Sequence, residues 1–212
     1  MPNLPKEHQR ISIAITGASG VQYSLRLIEV LLKADYPLNV VISKAALLVF
    51  AMEMDVQLGN QPQVQKERLL ALVGVDKPDL LRIYGVEDWS APMASGSNTS
   101  RAMVIVPATT GALSAVATGQ SNNLIERAAD VMLKERKPLV IVLRETPLNA
   151  IHIKNMLTLT EAGAIVMPAN PGFYHRPKSV DDIIDFMVAR ILDQLNIEHD
   201  LMHKWGDDSS VK

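Results

Sequence analysis

The chain alternates short apolar runs rich in β-branched residues with segments of helical periodicity, and this alternation restricts its fold more than any other feature. The first unit joins an apolar run, residues 11–16, to a helical segment, residues 21–32, through Gly17–Ala18–Ser19–Gly20. Strands that are apolar throughout are typical of parallel sheets covered by helices on both faces. We therefore predict a single three-layer, doubly wound α/β domain over residues 11–196, with a Rossmann-like or flavodoxin-like parallel sheet.

The remaining elements follow the same alternation. We predict further strands over residues 38–43, 102–106, 139–143 and 164–167, and an extended segment near the sheet over residues 80–84. Helices are predicted over residues 45–54, 64–73, 111–118, 122–135, 148–162 and 179–196. Residues 89–100 are rich in turn-forming types and are predicted to form a long loop, and Pro107 is expected to end the strand before it.

Composition and charge exclude several classes of protein. The 212 residues suit one α/β domain, and the formal net charge of −2 supplies no basic field for nucleic acid or a membrane surface. The absence of cysteine removes disulfides, thiolate metal ligands and a cysteine nucleophile, and it agrees with a reducing cytoplasm. Residues 1–10 lack the apolar stretch of a signal peptide, so we expect a flexible tail there and a cytoplasmic location.

Doubly wound sheets bind ligands beyond the carboxyl ends of their strands, and here those ends carry hydroxyls, glycines and a cation. The groups are Gly17–Ala18–Ser19, Ser43–Lys44, Thr109–Thr110–Gly111–Ala112, Arg144–Glu145 and Gly172–Phe173–Tyr174. Helix N-termini together with hydroxyls can hold a phosphate without a metal. A plainer interpretation stays open for each group: the first is compatible with an ordinary tight turn, and Thr109 with a helix cap.

Other charged and aromatic residues also allow two interpretations. The run over residues 134–137 has the character of a solvated helix end as well as of an anion site. Tyr174 and Trp205 are residue types that pack more often than they bind ligands. The histidines show no zinc spacing, and neither Asp181–Asp182 nor Asp207–Asp208 has the spacing of the magnesium-binding, aspartate-rich motif known from prenyltransferases. We therefore predict no metal.

Together these segments resemble the UbiX-type flavin prenyltransferases over residues 11–205. The resemblance lies in blocks that follow the same order: TGASG (16–20), ISKAA (42–46), MEMD (52–55), SGS (95–97), LIERAADVMLKERKPLV (124–140), RETP (144–147) and PGFYHRP (171–177). One departure is Ala108, where relatives often have cysteine. That position has no chemical role in the family, so the departure leaves the resemblance intact.

The resemblance implies a metal-independent enzyme that binds FMN and transfers a dimethylallyl group from dimethylallyl monophosphate to N5 and C6 of the reduced flavin. The product would serve a UbiD-type decarboxylase, often in ubiquinone synthesis, and the family forms homo-dodecamers with sites near subunit contacts. The implied FMN-binding residues are Gly17, Ala18, Ser19, Ser43, Thr109, Thr110, Gly111, Ala112, Arg127 and Arg144. The implied contacts to the prenyl phosphate are Lys134, Arg144, Glu145, Tyr174 and Arg190.

The residues that the resemblance implies are catalytic are Ser19, Glu53, Lys134, Glu145 and Trp205. Breaking an allylic C–O bond yields a delocalised cation and a phosphate dianion, and basic side chains can neutralise that dianion where other prenyltransferases use magnesium. The face of Trp205 can stabilise the cation by about 0.5–2 kcal/mol, with residues 197–212 expected to close over the site. Ser19 would orient the flavin, and the two glutamates would handle protons or orient the basic groups.

Two other functions remain open from the sequence. A flavin-dependent cysteine decarboxylase of related fold would need a histidine after the first helix, a Pro-x-x-Met-Asn segment and a substrate-loop cysteine, none of which is present. A flavin-binding module without catalysis would keep the FMN contacts but would have no need for Lys134, Tyr174 and Arg190. The retention of that set favours the enzyme.

Overall fold

The structure, a computed structural model, describes residues 10–202. These residues form the strands β1 (Ile11–Ile15), β2 (Leu38–Ile42), β3 (Leu81–Tyr84), β4 (Ala102–Ala108), β5 (Leu139–Leu143) and β6 (Ile165–Pro168). They also form the helices α1 (Val21–Lys33), α2 (Lys44–Met54), α3 (Pro62–Val73), α4 (Thr110–Ala117), α5 (Leu124–Lys134), α6 (Ala150–Glu161) and α7 (Val180–Gln194). Trp205 and most of the predicted C-terminal tail lie outside the described residues.

The six strands form one parallel sheet in the order β3-β2-β1-β4-β5-β6, so the predicted doubly wound α/β fold is confirmed. Alternate side chains of each strand face opposite layers. Ile11, Ile13 and Ile15 pack beneath α1, α3 and α7, whereas Met103 and Ile105 pack beneath α4 and α5. The sheet is therefore buried on both faces, which explains why its strands read as continuous apolar runs.

Several helices begin at a side chain that accepts a hydrogen bond from their first turn. Ser43 caps α2, Thr109 caps α4 and Asn123 caps α5 in this way, while Asn149 and Ser179 form capping boxes at α6 and α7. The caps hold the N-termini of α2 and α4 at fixed positions beside the sheet. No helix within residues 10–202 is both long enough and apolar enough to cross a membrane.

Two predicted boundaries need correction. Pro107 does not end its strand, because β4 continues to Ala108 and a register shift against β5 accommodates a residue without an N–H group. Arg10, assigned to the flexible tail, is buried and donates from Nη1 to the carbonyl oxygens of Leu38 and Leu80 at 3.1 and 3.3 Å. Arg10 therefore belongs to the folded domain.

Candidate functional site

The strand order creates a crevice between β1 and β4 at the carboxyl edge of the sheet. The chain leaves β1 for α1 on one face and leaves β4 for α4 on the other, so the two connecting loops diverge there. Doubly wound sheets bind nucleotides at such a point. The structure brings to this edge the loops that carry the residues predicted to contact FMN, residues 17–19 and 109–112, with Ser43 on the neighbouring loop.

Thr16 links the loop after β1 to the loop after β4 by hydrogen bonds. Its hydroxyl donates to the carbonyl oxygen of Pro107 at 2.8 Å and accepts from the backbone N–H of Thr109 at 2.8 Å. The side chain is 4% exposed, so both bonds are shielded from water. The sequence analysis did not identify Thr16 as a residue that shapes the site. The signal that could have indicated it is a threonine at the end of an otherwise apolar strand.

Gly17 allows the first loop to contact the start of α2. A Cβ atom at this position would lie 2.4 Å from the Cβ of Ala45 and 3.1 Å from its backbone carbon. Only glycine permits this approach without displacing the helix. The contact places the N-terminus of α2, with its Ser43 cap, beside the first loop.

Glu53 occupies the position at the N-terminus of α1 where many nucleotide-binding folds hold a phosphate. Its carboxylate accepts from the N–H groups of Gly20 at 2.9 Å and Val21 at 3.4 Å. This interaction compensates the positive end of the α1 dipole. The anion-binding ends that remain at the crevice belong to α2 and α4, where Ser43 and Thr109 cap the first turn at 3.1 Å.

Arg144 and Glu145 follow β5 directly and lie at the same edge of the sheet. The backbone N–H of Arg144 donates to the carbonyl oxygen of Ala108 at 3.1 Å, which fixes the residue beside the loop that carries Thr109. The Nε atom of Arg144 is buried and has no hydrogen-bond partner among the described residues. A buried guanidinium N–H without an acceptor is costly, so this atom fits a site for the oxygens of an anionic ligand such as FMN.

Tyr174 lies on the loop between β6 and α7 as part of a cluster of three rings. Its ring meets the rings of His175 and Phe186 edge-on, with centroids 6.0 and 5.9 Å away, while His175 stacks on Phe186 at 5.3 Å. Gly172 makes this packing possible, because a Cβ there would lie 2.9 Å from the Tyr174 ring. The tyrosine is 59% exposed, so the cluster presents it to solvent.

The start of α7 holds this loop in place electrostatically. Asp182 accepts from the backbone N–H groups of Lys178 at 2.7 Å and Ser179 at 3.1 Å. The Lys178 bond is the main reason why the pKa of the Asp182 carboxyl lies below its usual value, although desolvation opposes the change. The carboxylate therefore remains charged, and remains bound to the loop, at neutral pH.

Arg190 lies on α7 one turn beyond Phe186, on the same face of the helix. Its Nη1 atom pairs with Asp193 Oδ2 at 2.6 Å, and the other oxygen of Asp193 lies 3.2 Å from His199 Nε2. Half of the arginine side chain is exposed. Tyr174 thus packs on Phe186, one helical turn before Arg190, and the arginine has guanidinium N–H groups besides the one that Asp193 accepts.

Arg127 and Lys134 lie on α5 and contact the segment between β3 and β4. Arg127 donates from Nε to the carbonyl oxygen of Ala94 at 3.0 Å, and Lys134 pairs with Glu135 against Gly96. The helix α5 ends near the start of β5, whereas Arg144 follows the end of that strand. Lys134 and Arg144 therefore lie at opposite ends of β5, which is about 16 Å long. Within one chain, Lys134 therefore lies far from Arg144 and the other predicted residues at the carboxyl edge of the sheet.

The described residues do not form an evident metal-binding site. Within residues 10–202 no three His, Asp or Glu side chains cluster as metal ligands. Of the predicted charged residues, the structure places Arg144 and Glu145 after β5 at the crevice and Glu53 at the N-terminus of α1.

Similarity to known proteins identifies the family. The flavoprotein family model matches residues 2–192. Flavin prenyltransferase UbiX of Pseudomonas aeruginosa is 53% identical over 203 residues, which cover 96% of this chain and 97% of the relative. The chain belongs to the UbiX flavin prenyltransferase family. The UbiX protein of Methanocaldococcus jannaschii, at 44% identity over 93% of the chain and 98% of the relative, shows that the similarity extends to archaea.

Two solved UbiX-type structures share the fold along nearly the whole chain. One, crystallised with FMN and dimethylallyl pyrophosphate, is 36% identical and has a TM-score of 0.82, covering 93% of this chain and 97% of the other. A dodecameric FMN-dependent UbiX-like decarboxylase from Escherichia coli is 32% identical with a TM-score of 0.81, covering 92% and 98%. An FMN-dependent cysteine decarboxylase is only 17% identical, at a TM-score of 0.52, and shares the fold alone.

Proposed function

We propose that this chain is a flavin prenyltransferase that joins a dimethylallyl unit from dimethylallyl monophosphate to N5 and C6 of reduced FMN. The observation that carries the proposal is the similarity, over 93% of the chain, to a UbiX protein crystallised with FMN and dimethylallyl pyrophosphate. The product would be the cofactor of a UbiD-type decarboxylase. The alternative of cysteine decarboxylation has only fold-level similarity in its favour.

The proposed reaction balances without an external oxidant or reductant. Reduced FMN supplies the nucleophilic N5 and C6 positions, so the chain needs no nucleophile of its own. The allylic C–O bond breaks, one C–N bond and one C–C bond form, and inorganic phosphate leaves. Of the two protons lost from the flavin, one adds to the prenyl chain and the other leaves with the phosphate.

The residues at the crevice suit the binding of FMN. The loop of Gly17, Ala18 and Ser19 and the N-termini of α2 and α4 present N–H groups and hydroxyls, and Arg144 adds its buried Nε donor. Ser19 is exposed at the edge of the crevice, where it would orient the flavin ring. Glu145 lies on the same loop as Arg144 and would handle a proton or orient the arginine.

The phosphate of the prenyl donor would be bound by Tyr174, Arg190, Arg144 and Lys134. These residues supply a hydroxyl and three cations, which stabilise the dianion as it leaves. Since Lys134 lies at the opposite edge of the sheet from Arg144, we propose that neighbouring subunits share each site within a homo-dodecamer. The dodecameric assembly of a 32% identical relative supports this arrangement. Trp205 would shield the allylic cation, but it lies outside the described residues.

Chelation of divalent metals is expected to leave the reaction intact. Inorganic phosphate released anaerobically from dimethylallyl monophosphate, with reduced FMN present, should appear at the same rate in excess EDTA and in excess magnesium. The reason is that arginine and lysine provide the charge that magnesium provides on a diphosphate. A reaction that stops on chelation and resumes with magnesium would contradict the metal-independent mechanism.

A further inference from the structure

The chain folds back on α7 directly after that helix ends. Asn196 adopts a left-handed backbone, with φ of 53°, and its N–H donates to the carbonyl oxygen of Asp193 at 3.1 Å. The N–H of Ile197 donates to the carbonyl oxygen of Leu192 at 3.0 Å. This pair of bonds is the Schellman motif, which ends a helix and redirects the chain. Ile197 is buried in the core, so the residues that follow start from a fixed position beside α7.

His199 contacts Asp193 from this position. Its Nε2 atom lies 3.2 Å from Asp193 Oδ1, and the histidine side chain is only 9% exposed. Because an ionised carboxylate can only accept, Nε2 carries the proton and donates. The other ring nitrogen, Nδ1, is buried and has no hydrogen-bond partner between residues 10 and 202. Within that range the imidazole therefore makes one hydrogen bond, and Asp193 accepts it.

Asp193 connects His199 to Arg190. The second carboxylate oxygen, Oδ2, accepts from Arg190 Nη1 at 2.6 Å. An exposed ion pair of this kind orders two long side chains only weakly. Here 35% of the aspartate and 50% of the arginine side chain are exposed, but the shielded ring of His199 holds the other oxygen of the carboxylate. The guanidinium is planar, so a carboxylate fixed at Nη1 sets the directions of its remaining N–H groups.

We propose that His199 is a positioning residue for the prenyl phosphate, which acts through Asp193 on the guanidinium of Arg190. The inference rests on the proposed function, in which Arg190 binds that phosphate, and it adds a residue that does not touch the substrate. An arginine whose plane is already fixed loses less side-chain entropy when the phosphate binds. The bond from His199 therefore increases kcat/KM for the prenyl donor.

His199 is a better residue to vary than Asp193. Removing the Asp193 carboxylate would free the arginine, but it would also remove a negative charge that repels the phosphate, and the two effects have opposite signs. His199→Phe keeps a ring of similar volume and leaves both charges of the Arg190–Asp193 pair in place. The oxygen that loses its donor belongs to a partly exposed carboxylate, so water can replace the bond. We therefore expect the melting temperature without ligand to change little.

In His199→Phe, kcat/KM for dimethylallyl monophosphate should fall about three- to ten-fold, while FMN affinity stays unchanged. The rise in melting temperature that dimethylallyl monophosphate causes should shrink as well. His199→Gln is the matched control, because its amide N–H has about the reach of Nε2 and should keep both values close to those of the wild type. If the two variants are equally impaired, or if His199→Phe melts well below the wild type, the ring serves packing and the inference is wrong.

A double-mutant cycle with Arg190→Ala shows whether His199 acts through the arginine. In the Arg190→Ala background, His199→Phe should cause no further fall in kcat/KM. An equal fall in both backgrounds would overturn the inference, and so would an Arg190→Ala variant whose kcat/KM is unchanged. Both outcomes leave the proposed function standing, because prenyl transfer to FMN by the wild type is measured separately, by the mass of the flavin.

Discussion

Oligomers that mix Lys134→Ala and Arg144→Ala subunits are expected to transfer the prenyl group, although either variant alone should lose about 10²-fold or more in rate. The two residues lie at opposite edges of the sheet in one chain, so a shared site would take Lys134 from one copy and Arg144 from its neighbour. Random mixing in equal amounts would then leave about a quarter of the sites with both residues intact. Co-expression with two affinity tags, followed by sequential purification, isolates the mixed oligomers for assay.

A matched control uses two residues of the same loop. Arg144→Ala mixed with Glu145→Ala should stay inactive, because one subunit supplies both residues and every site then carries one of the defects. Activity in the first mixture but not in the second supports sites shared between subunits. Equal activity in the two mixtures would show that Lys134 and Arg144 do not act together across a subunit boundary.

Gly17→Ala is expected to weaken FMN binding by ten-fold or more and to lower the free energy of unfolding by about 1–3 kcal/mol. The added Cβ would lie 2.4 Å from the Cβ of Ala45, and the nearby backbone of α2 cannot move aside without shifting the helix. Such a shift would separate the N-terminus of α2 from the first loop of the crevice. Flavin fluorescence titration measures the affinity, and urea denaturation measures the stability.

Gly85→Ala provides the matched control for this substitution. Gly85 also follows a strand at the carboxyl edge of the sheet, but a Cβ there meets no atom within 4 Å. FMN affinity and stability should therefore change little. If Gly17→Ala binds FMN as tightly as Gly85→Ala does, the close contact between the first loop and α2 is irrelevant to the flavin site.

The strands and the sheet edge could be predicted from the sequence because each depends on local pattern. The run over Leu139–Leu143 is apolar throughout, and its predicted bounds agree with β5. The end of β4 was misplaced, because whether a proline ends a strand depends on the register against its neighbour. The length of α7 was nearly right, since Ser179 and Asp182 form a recognisable capping box.

The site was less predictable, because its contacts join residues far apart in the chain. No local pattern indicates that the Glu53 carboxylate binds the N-terminus of α1, or that Thr16 bridges the loops after β1 and β4. The stacking of His175 on Phe186 depends on how a loop packs on α7. Lys134 and Arg144 lie at opposite ends of β5 in one chain, and that separation follows from the order and direction of the elements rather than from any local pattern.

The mass of the flavin after reaction tests the central claim most directly. The purified chain is incubated anaerobically in EDTA with reduced FMN and dimethylallyl monophosphate, and the flavin is then released and analysed by mass spectrometry. A prenyltransferase should yield a flavin heavier by one isoprene unit, formed together with an equal amount of inorganic phosphate. Recovery of unmodified FMN, with the dimethylallyl monophosphate intact or hydrolysed to the alcohol, would contradict the proposed function.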